Sequence, residues 1–117
     1  MKKRKNSEER PWGSYEVLAD RKHYKLKEII VKPGQRLSYQ SHRRRTEIWA
    51  IVQGEGTVTL EGQQLDCYVG RSFFIPKEQK HRIECTGKKP LVFVEVQTGD
   101  YFGEDDITRY EDDYGRE

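Results

Sequence analysis

An all-β sandwich or jelly roll is the fold class this sequence predicts, on three observations. Apolar and polar residues alternate with period two through most of the chain, the spacing of half-buried strands. Glycine and proline turn signals break that alternation at short, regular intervals. No helical periodicity stands out before the C-terminal segment. Eight or nine short strands at this spacing suit a closed antiparallel architecture whose interior can hold a small ligand.

Taken in order, Ser14–Leu18 is the first candidate strand, and Tyr24–Val31 follows and ends at Lys32-Pro33-Gly34. Arg36–His42 and Glu47–Val52 are joined by a short arginine-rich connection and close at Gln53-Gly54-Glu55-Gly56. Gly56–Leu60 and Gln64–Val69 flank the turn signal Glu61-Gly62. Ser72–Ile75 sits between Val69-Gly70 and Pro76-Lys77, and Lys80–Glu84 leads to Gly87-Lys88-Lys89-Pro90. Leu91–Gln97 is the last candidate strand. Beyond it, Tyr101–Arg116 is acidic and aromatic, and is expected to pack as an irregular tail or a short helix.

A chain of 117 residues builds one core and not two. With 33% hydrophobic and 36% charged residues, disorder is the first alternative to consider. The charges are uneven, however: residues 1–10 and 103–117 hold 16 of the 42, leaving an ordinary globular density between them. Residues 1–9 are therefore expected to be a flexible basic tail and residues 10–117 the folded domain. A net charge of +2 gives no reason to expect nucleic acid or a membrane as partner. Lys2-Lys3-Arg4-Lys5 reads as a solvated tail, since no apolar segment follows it. No signal peptide or membrane span is apparent. Cys67 and Cys85 form no CxxC pair; they read as small core residues of a reduced, cytoplasmic chain.

Chemistry concentrates in two stretches. The first is Gly34-x5-Gln40-x-His42-x4-Glu47-x6-Gly54, in which Gln40 and His42 stand two apart on one strand and share a face. Glu47 opens the next strand and can return to that face. The second is Gly70-x5-Pro76-x4-His81, which brings another imidazole to the start of a later strand. Two imidazole nitrogens, a carboxylate and an amide oxygen suit a borderline divalent ion: zinc, manganese, iron, cobalt or nickel. Each residue alone reads more readily as a hydrogen-bonded core histidine or an exposed strand glutamate; the joint pattern is the specific signal. His23 has no obvious partner and reads as a surface residue.

The two stretches resemble the two signature motifs of the cupin superfamily, with Gln40 where the first histidine usually stands. That feature resembles the phosphomannose isomerases, which combine Gln, two His and Glu around zinc. Further stretches resemble the type II members: Arg10-Pro11-Trp12-Gly13-Ser14-Tyr15, residues 31–38, Gly103 through Arg109, and Asp113-Tyr114-Gly115-Arg116. The resemblance runs from Arg10 to Arg116. It implies a single cupin jelly-roll barrel, a double-stranded β-helix with a short C-terminal tail, holding Zn²⁺ on Gln40, His42, Glu47 and His81. It also implies interconversion of mannose 6-phosphate and fructose 6-phosphate, and a homodimer formed through edge strands, which would help cover them. In that family the domain is often fused behind a mannose-1-phosphate guanylyltransferase; with nine residues before Arg10, nucleotidyl transfer is not expected here.

Within that expectation the catalytic candidates are Arg45 and Glu95, the latter on a strand expected to line the barrel but reading at least as readily as an outward-facing residue. For a phosphorylated sugar, strand parity points Arg36 into the cavity of Gln40, while Arg45 lies two residues before Glu47, where type I isomerases place a lysine. Lys25 and Lys27 share a face and are further substrate-binding candidates, and Trp12 is a candidate wall of the site. The family typically reads Gln-Met-His-His-His-Arg-Ala-Glu-His-Trp where this chain reads Gln40-Ser41-His42-Arg43-Arg44-Arg45-Thr46-Glu47-Ile48-Trp49. The expected ligands and Arg45 survive; substrate choice and rate are what the change at residues 43, 44 and 48 puts in doubt. The alternatives are a non-catalytic metal- or sugar-binding cupin and, ranked last, an iron dioxygenase, whose ligand set is richer in histidine.

Overall fold

A computed structural model describes residues 6–116, and among these it contains eleven strands and no helix. They are β1 (Ser7–Arg10), β2 (Gly13–Asp20), β3 (Tyr24–Val31), β4 (Tyr39–Ser41), β5 (Arg45–Gln53), β6 (Glu55–Leu60), β7 (Gln63–Tyr68), β8 (Ser72–Ile75), β9 (His81–Cys85), β10 (Leu91–Gly99) and β11 (Thr108–Glu111). Two antiparallel sheets face each other: one of six strands in the order β1-β2-β3-β10-β5-β8, one of five in the order β11-β4-β9-β6-β7. This is the double-stranded β-helix of the cupins, as the period-two pattern and the motifs predict.

Alternation builds the interior. On β5, residues 45, 47, 49 and 51 are buried while 48, 50 and 52 are exposed. On β10 the inward residues are Leu91, Phe93, Glu95 and Gln97. That strand therefore starts in an apolar layer and ends in a polar one. The apolar half, with Ile29, Val31, Ile51, Val58, Ile75, Ile83 and Phe93, forms the hydrophobic core, and Ile29, Ile83 and Phe93 also face the cavity at its boundary. Cys67 and Cys85 belong to it as buried, unpaired thiols.

Two glycines are required by geometry. Glu61 and Gly62 form the two-residue turn between β6 and β7 with φ of 45° and 80°, the positive pair that matches the twist of a hairpin. Gly56 lies between Cys67 and Cys85 in register, and a Cβ there would fall 2.0 Å from the Glu84 carbonyl oxygen.

Three elements differ from the sequence expectation. β1 begins at Ser7, so ordered pairing, from Ser7↔Glu16 to Arg10↔Gly13, starts inside the stretch expected to be a tail. Residues 1–5 of that stretch lie outside the described residues. The strand expected over Arg36–His42 shrinks to Tyr39–Ser41, leaving Arg36 in a lone bridge to Glu84. Most consequential, residues 108–111 are neither irregular nor helical: they form β11, which pairs with β4 and places Arg109 opposite Gln40.

Candidate active site

Register assembles the site. In the smaller sheet, Arg109, Gln40 and His81 stand abreast on β11, β4 and β9. Across the barrel, Lys27, Glu95 and Trp49 form one row of the larger sheet, and Glu47 lies beside Gln97 in the next. Directly paired residues share a face, and all of these side chains except Gln97 line one cavity of about 80 Å³. Trp12, buried, forms part of its wall.

His42, Glu47 and His81 are each at most 5% exposed, and their ligand atoms lie within 4.8 Å of one another. His42 Nε2 is 3.3 Å from Glu47 Oε2, and His81 Nε2 is 3.9 Å from Glu47 Oε1. The opposite ring nitrogens face backbone carbonyls: His42 Nδ1 lies 2.6 Å from the Asp106 oxygen and His81 Nδ1 2.9 Å from that of Gln79. A carbonyl only accepts, so both Nδ1 atoms carry the proton and both Nε2 atoms face the Glu47 carboxylate with lone pairs, that of His42 also accepting from Arg45 Nη2 at 3.3 Å. Burial holds the imidazoles neutral, pushing the His42 pKa down to about 4 and lowering that of His81 as well. Tautomer, charge state and convergence all fit a divalent cation. Gln40, beside His81 in register, lines the same cavity.

The two carboxyls are pushed in opposite directions. Burial opposes the charge on Glu47, but Arg45 and the neighbouring histidines outweigh it and hold Glu47 well below the usual carboxylate range. Arg45 Nε donates to Glu47 Oε2 at 2.8 Å, and Trp49 Nε1 donates to Glu47 Oε1 at 3.0 Å. Glu95 is raised well above its ordinary value by burial, by the Glu47 charge and by its hydrogen bond to Glu47. Ionising both would place two like charges together in a dry site; one proton shared between them avoids this.

Sequence reasoning placed Gln40, His42, Arg45, Glu47, His81, Glu95 and Trp12 around one cavity, and the structure brings them together there. Lys27 also lines it, but its ammonium is already paired with Glu104 at 2.6 Å and sits 4.1 Å from the Tyr15 ring centroid. Two candidates do not reach it. Arg36 forks onto Asp113 at the surface, Nε to Oδ2 at 2.8 Å and Nη2 to Oδ1 at 2.9 Å. Its parity argument fails because the strand does not extend back to residue 36. Lys25 lies one row beyond Lys27, beside Gln97, and does not line the cavity.

The arginines that do line it with Arg45 are Arg10, Arg82, Arg109 and Arg116, which sequence reasoning had not assigned to the site. Arg82 is occupied by the Leu37 carbonyl and by Glu111, and Arg116 by Asp112. Arg109 differs: burial and the positive charges of Arg116 and Arg10 depress its pKa, and its buried Nε has no hydrogen-bond partner. Nη1 of Arg45 is likewise buried and unpartnered. The available signal was the pair of arginines in the C-terminal motif, passed over because that segment was read as a tail.

Comparison with known proteins agrees with this geometry. The family model described as mannose-6-phosphate isomerase C-terminal matches residues 1–112. The alginate biosynthesis protein AlgA of Pseudomonas aeruginosa is 46% identical over 107 residues, 92% of this chain and 22% of its own. The mannose-1-phosphate guanylyltransferase ManC of Salmonella typhimurium is 43% identical over the same share of each. The chain thus spans less than a quarter of the length of these relatives. Among solved structures, a double-stranded β-helix protein of Klebsiella pneumoniae aligns with a TM-score of 0.73 at 20% identity, over 82% of each chain. A putative sugar phosphate isomerase of Acidithiobacillus ferrooxidans aligns with a TM-score of 0.61 at 26% identity, over 65% of this chain and 50% of that one.

Proposed function

The chain belongs to the mannose-6-phosphate isomerase C-terminal family, and from that premise we propose that it is a metal-dependent aldose–ketose isomerase of a phosphorylated hexose. Mannose 6-phosphate and fructose 6-phosphate are the expected pair. One observation carries the reading: a His–Glu–His cation site shares its cavity with two buried, unpartnered guanidinium N–H groups. Such groups are rare without a ligand to satisfy them, and a phosphosugar supplies acceptor oxygens for both.

A divalent ion, zinc by the family resemblance, would be held by His42, Glu47, His81 and Gln40 and would polarise the C1 and C2 oxygens of the open-chain sugar. The remaining work falls to the chain itself. Arg109 and Arg45 donate to phosphate or sugar oxygens, while Arg10 and Arg116 line the same cavity with their charges paired to Glu8 and Asp112. Trp12 and Phe93 wall the cavity and exclude water. Glu95 is assigned the proton transfer. Its carboxyl donates to the ring oxygen as the ring opens and the C1 hydroxyl proton leaves to water. The carboxylate left behind takes the proton from C2 and returns it to C1 while the C2 hydroxyl proton passes to the C1 oxygen. Closure of the product ring in the reverse sense gives Glu95 its proton back.

A coupled assay of mannose 6-phosphate conversion by zinc-loaded protein tests the proposal. Turnover that a chelator removes and zinc restores is the expected result. A folded, zinc-replete protein that turns over neither hexose phosphate would overturn it in favour of a non-catalytic sugar-binding cupin. What favours that second reading is that Lys27 is neutralised by Glu104 and the Glu95 carboxyl is bound to Glu47. A homodimer is the assembly proposed from the resemblance, and sedimentation equilibrium tests it.

A further inference from the structure

The connection between β4 and β5 carries His42, then Arg43 and Arg44, and delivers Arg45 and Glu47 onto β5. His42, Arg45 and Glu47 therefore depend on the path of this short turn. Its backbone N–H groups at 43 and 44 find one acceptor each. Both acceptors are oxygens of the same residue: Arg43 N donates to Asp106 Oδ1 at 3.0 Å and Arg44 N to Asp106 Oδ2 at 3.0 Å. The backbone carbonyl of that same Asp106 takes the Nδ1–H of His42 at 2.6 Å.

We propose that Asp106 is the positioning residue of the metal site, fixing the tautomer and orientation of His42 by clamping the turn with its carboxylate and the imidazole with its carbonyl. The two contacts work as a unit. The carboxylate registers the 104–107 segment against residues 43–44, and that registration puts the carbonyl where the His42 ring must donate. With Nδ1–H engaged, only Nε2 is left to bind a cation. The far side of the residue is held as well, since Glu78 N donates to the His42 carbonyl oxygen at 2.6 Å. Loss of the Asp106 carboxylate frees the segment to drift and the imidazole to exchange tautomers, and outer-sphere partners of this kind typically change metal affinity by about 10–100-fold.

The inference rests on the metal-site reading above, so its test has one measurement that needs no metal. In metal-free protein, long-range ¹H–¹⁵N correlation of the histidine rings reports which nitrogen of His42 carries the proton. The intact chain is expected to show the Nδ1–H form, and Asp106→Ala a mixture with Nε2–H. In parallel, Zn²⁺ affinity measured by chelator competition is expected to weaken about 10–100-fold in Asp106→Ala. It should weaken less in Asp106→Asn, whose amide oxygen still accepts one of the two N–H bonds and which serves as the test should the alanine variant fail to fold. A variant with a lowered melting temperature but the wild-type tautomer and Zn²⁺ affinity within about twofold would reduce Asp106 to a structural role and overturn the proposal. Should the intact chain bind no Zn²⁺, the metal reading fails, while the tautomer measurement still decides whether Asp106 orients His42.

Discussion

Replacing Glu47 by glutamine in the metal-free protein removes the negative charge against which Arg45 is buried. Both side chains are nearly inaccessible, at 3% and 7% exposure, and 2.8 Å apart. Breaking such a pair ordinarily costs about 3–5 kcal/mol, because an uncompensated charge is left in the interior. Here the neighbouring Glu95 should change that outcome. Its proton is retained partly by the Glu47 charge, and its own charge acts favourably on Arg45. With residue 47 neutral, Glu95 ionises and takes over as counter-ion, so Glu47→Gln is expected to cost only about 1–2 kcal/mol, the scale of one charged hydrogen bond. Glu95→Gln replaces a neutral donor by a neutral donor and should cost less than about 1 kcal/mol. The double variant leaves Arg45 with neither partner and should reach about 3–5 kcal/mol. Urea unfolding at pH 7 with chelator present gives all four corners of the cycle. A coupling energy near 2 kcal/mol is expected; single-variant costs that add to within about 0.5 kcal/mol would refute the shared-proton description of the two carboxyls.

Four further outcomes follow from the same geometry. Glu95→Gln should abolish isomerisation while leaving stability and Zn²⁺ binding nearly intact; an active variant would remove Glu95 from the proton transfer. Below pH 6.5 the unfolded chain protonates at residue 42 while the native His42 refuses a proton until about pH 4. Native stability should therefore fall by about 3 kcal/mol across that window relative to His42→Gln, read by metal-free unfolding at a series of pH values. His81→Ala should lose stoichiometric Zn²⁺ by elemental analysis, and full occupancy in that variant would dismiss the four-ligand assignment. Arg109→Ala should raise KM for the phosphorylated sugar more than for the free sugar, with partial recovery in Arg109→Lys; equal effects on both sugars would take Arg109 out of the phosphate site.

Alternation and turn chemistry made most of the barrel legible before any coordinates. Residues 24–31 and 72–75 have the bounds that the pattern predicts, and Glu61-Gly62 is the turn it announces. For Glu95 the sequence offered only a strand lining the barrel, with inward and outward orientations both open; the alternation of β10 turns it inward. Arg36 shows the limit of the same argument. Parity holds only within an unbroken strand, and β4 starts three residues too late for it.

What sequence alone determined, then, is nine of the eleven strands and the grouping of His42, Glu47 and His81, because periodicity is local and the two motifs can be read directly from their spacing. The partners across the barrel were decided by tertiary structure. The pairing of β11 with β4 brings Arg109 beside Gln40 from 69 positions away, and the 104–107 segment supplies both the oxygen that orients His42 and the carboxylate that occupies Lys27. Strand pairing between distant segments leaves no periodic trace in either one, since each alternates the same way whatever lies next to it. Whether a buried cation is free for a ligand or already neutralised is settled only when the other chain segment arrives.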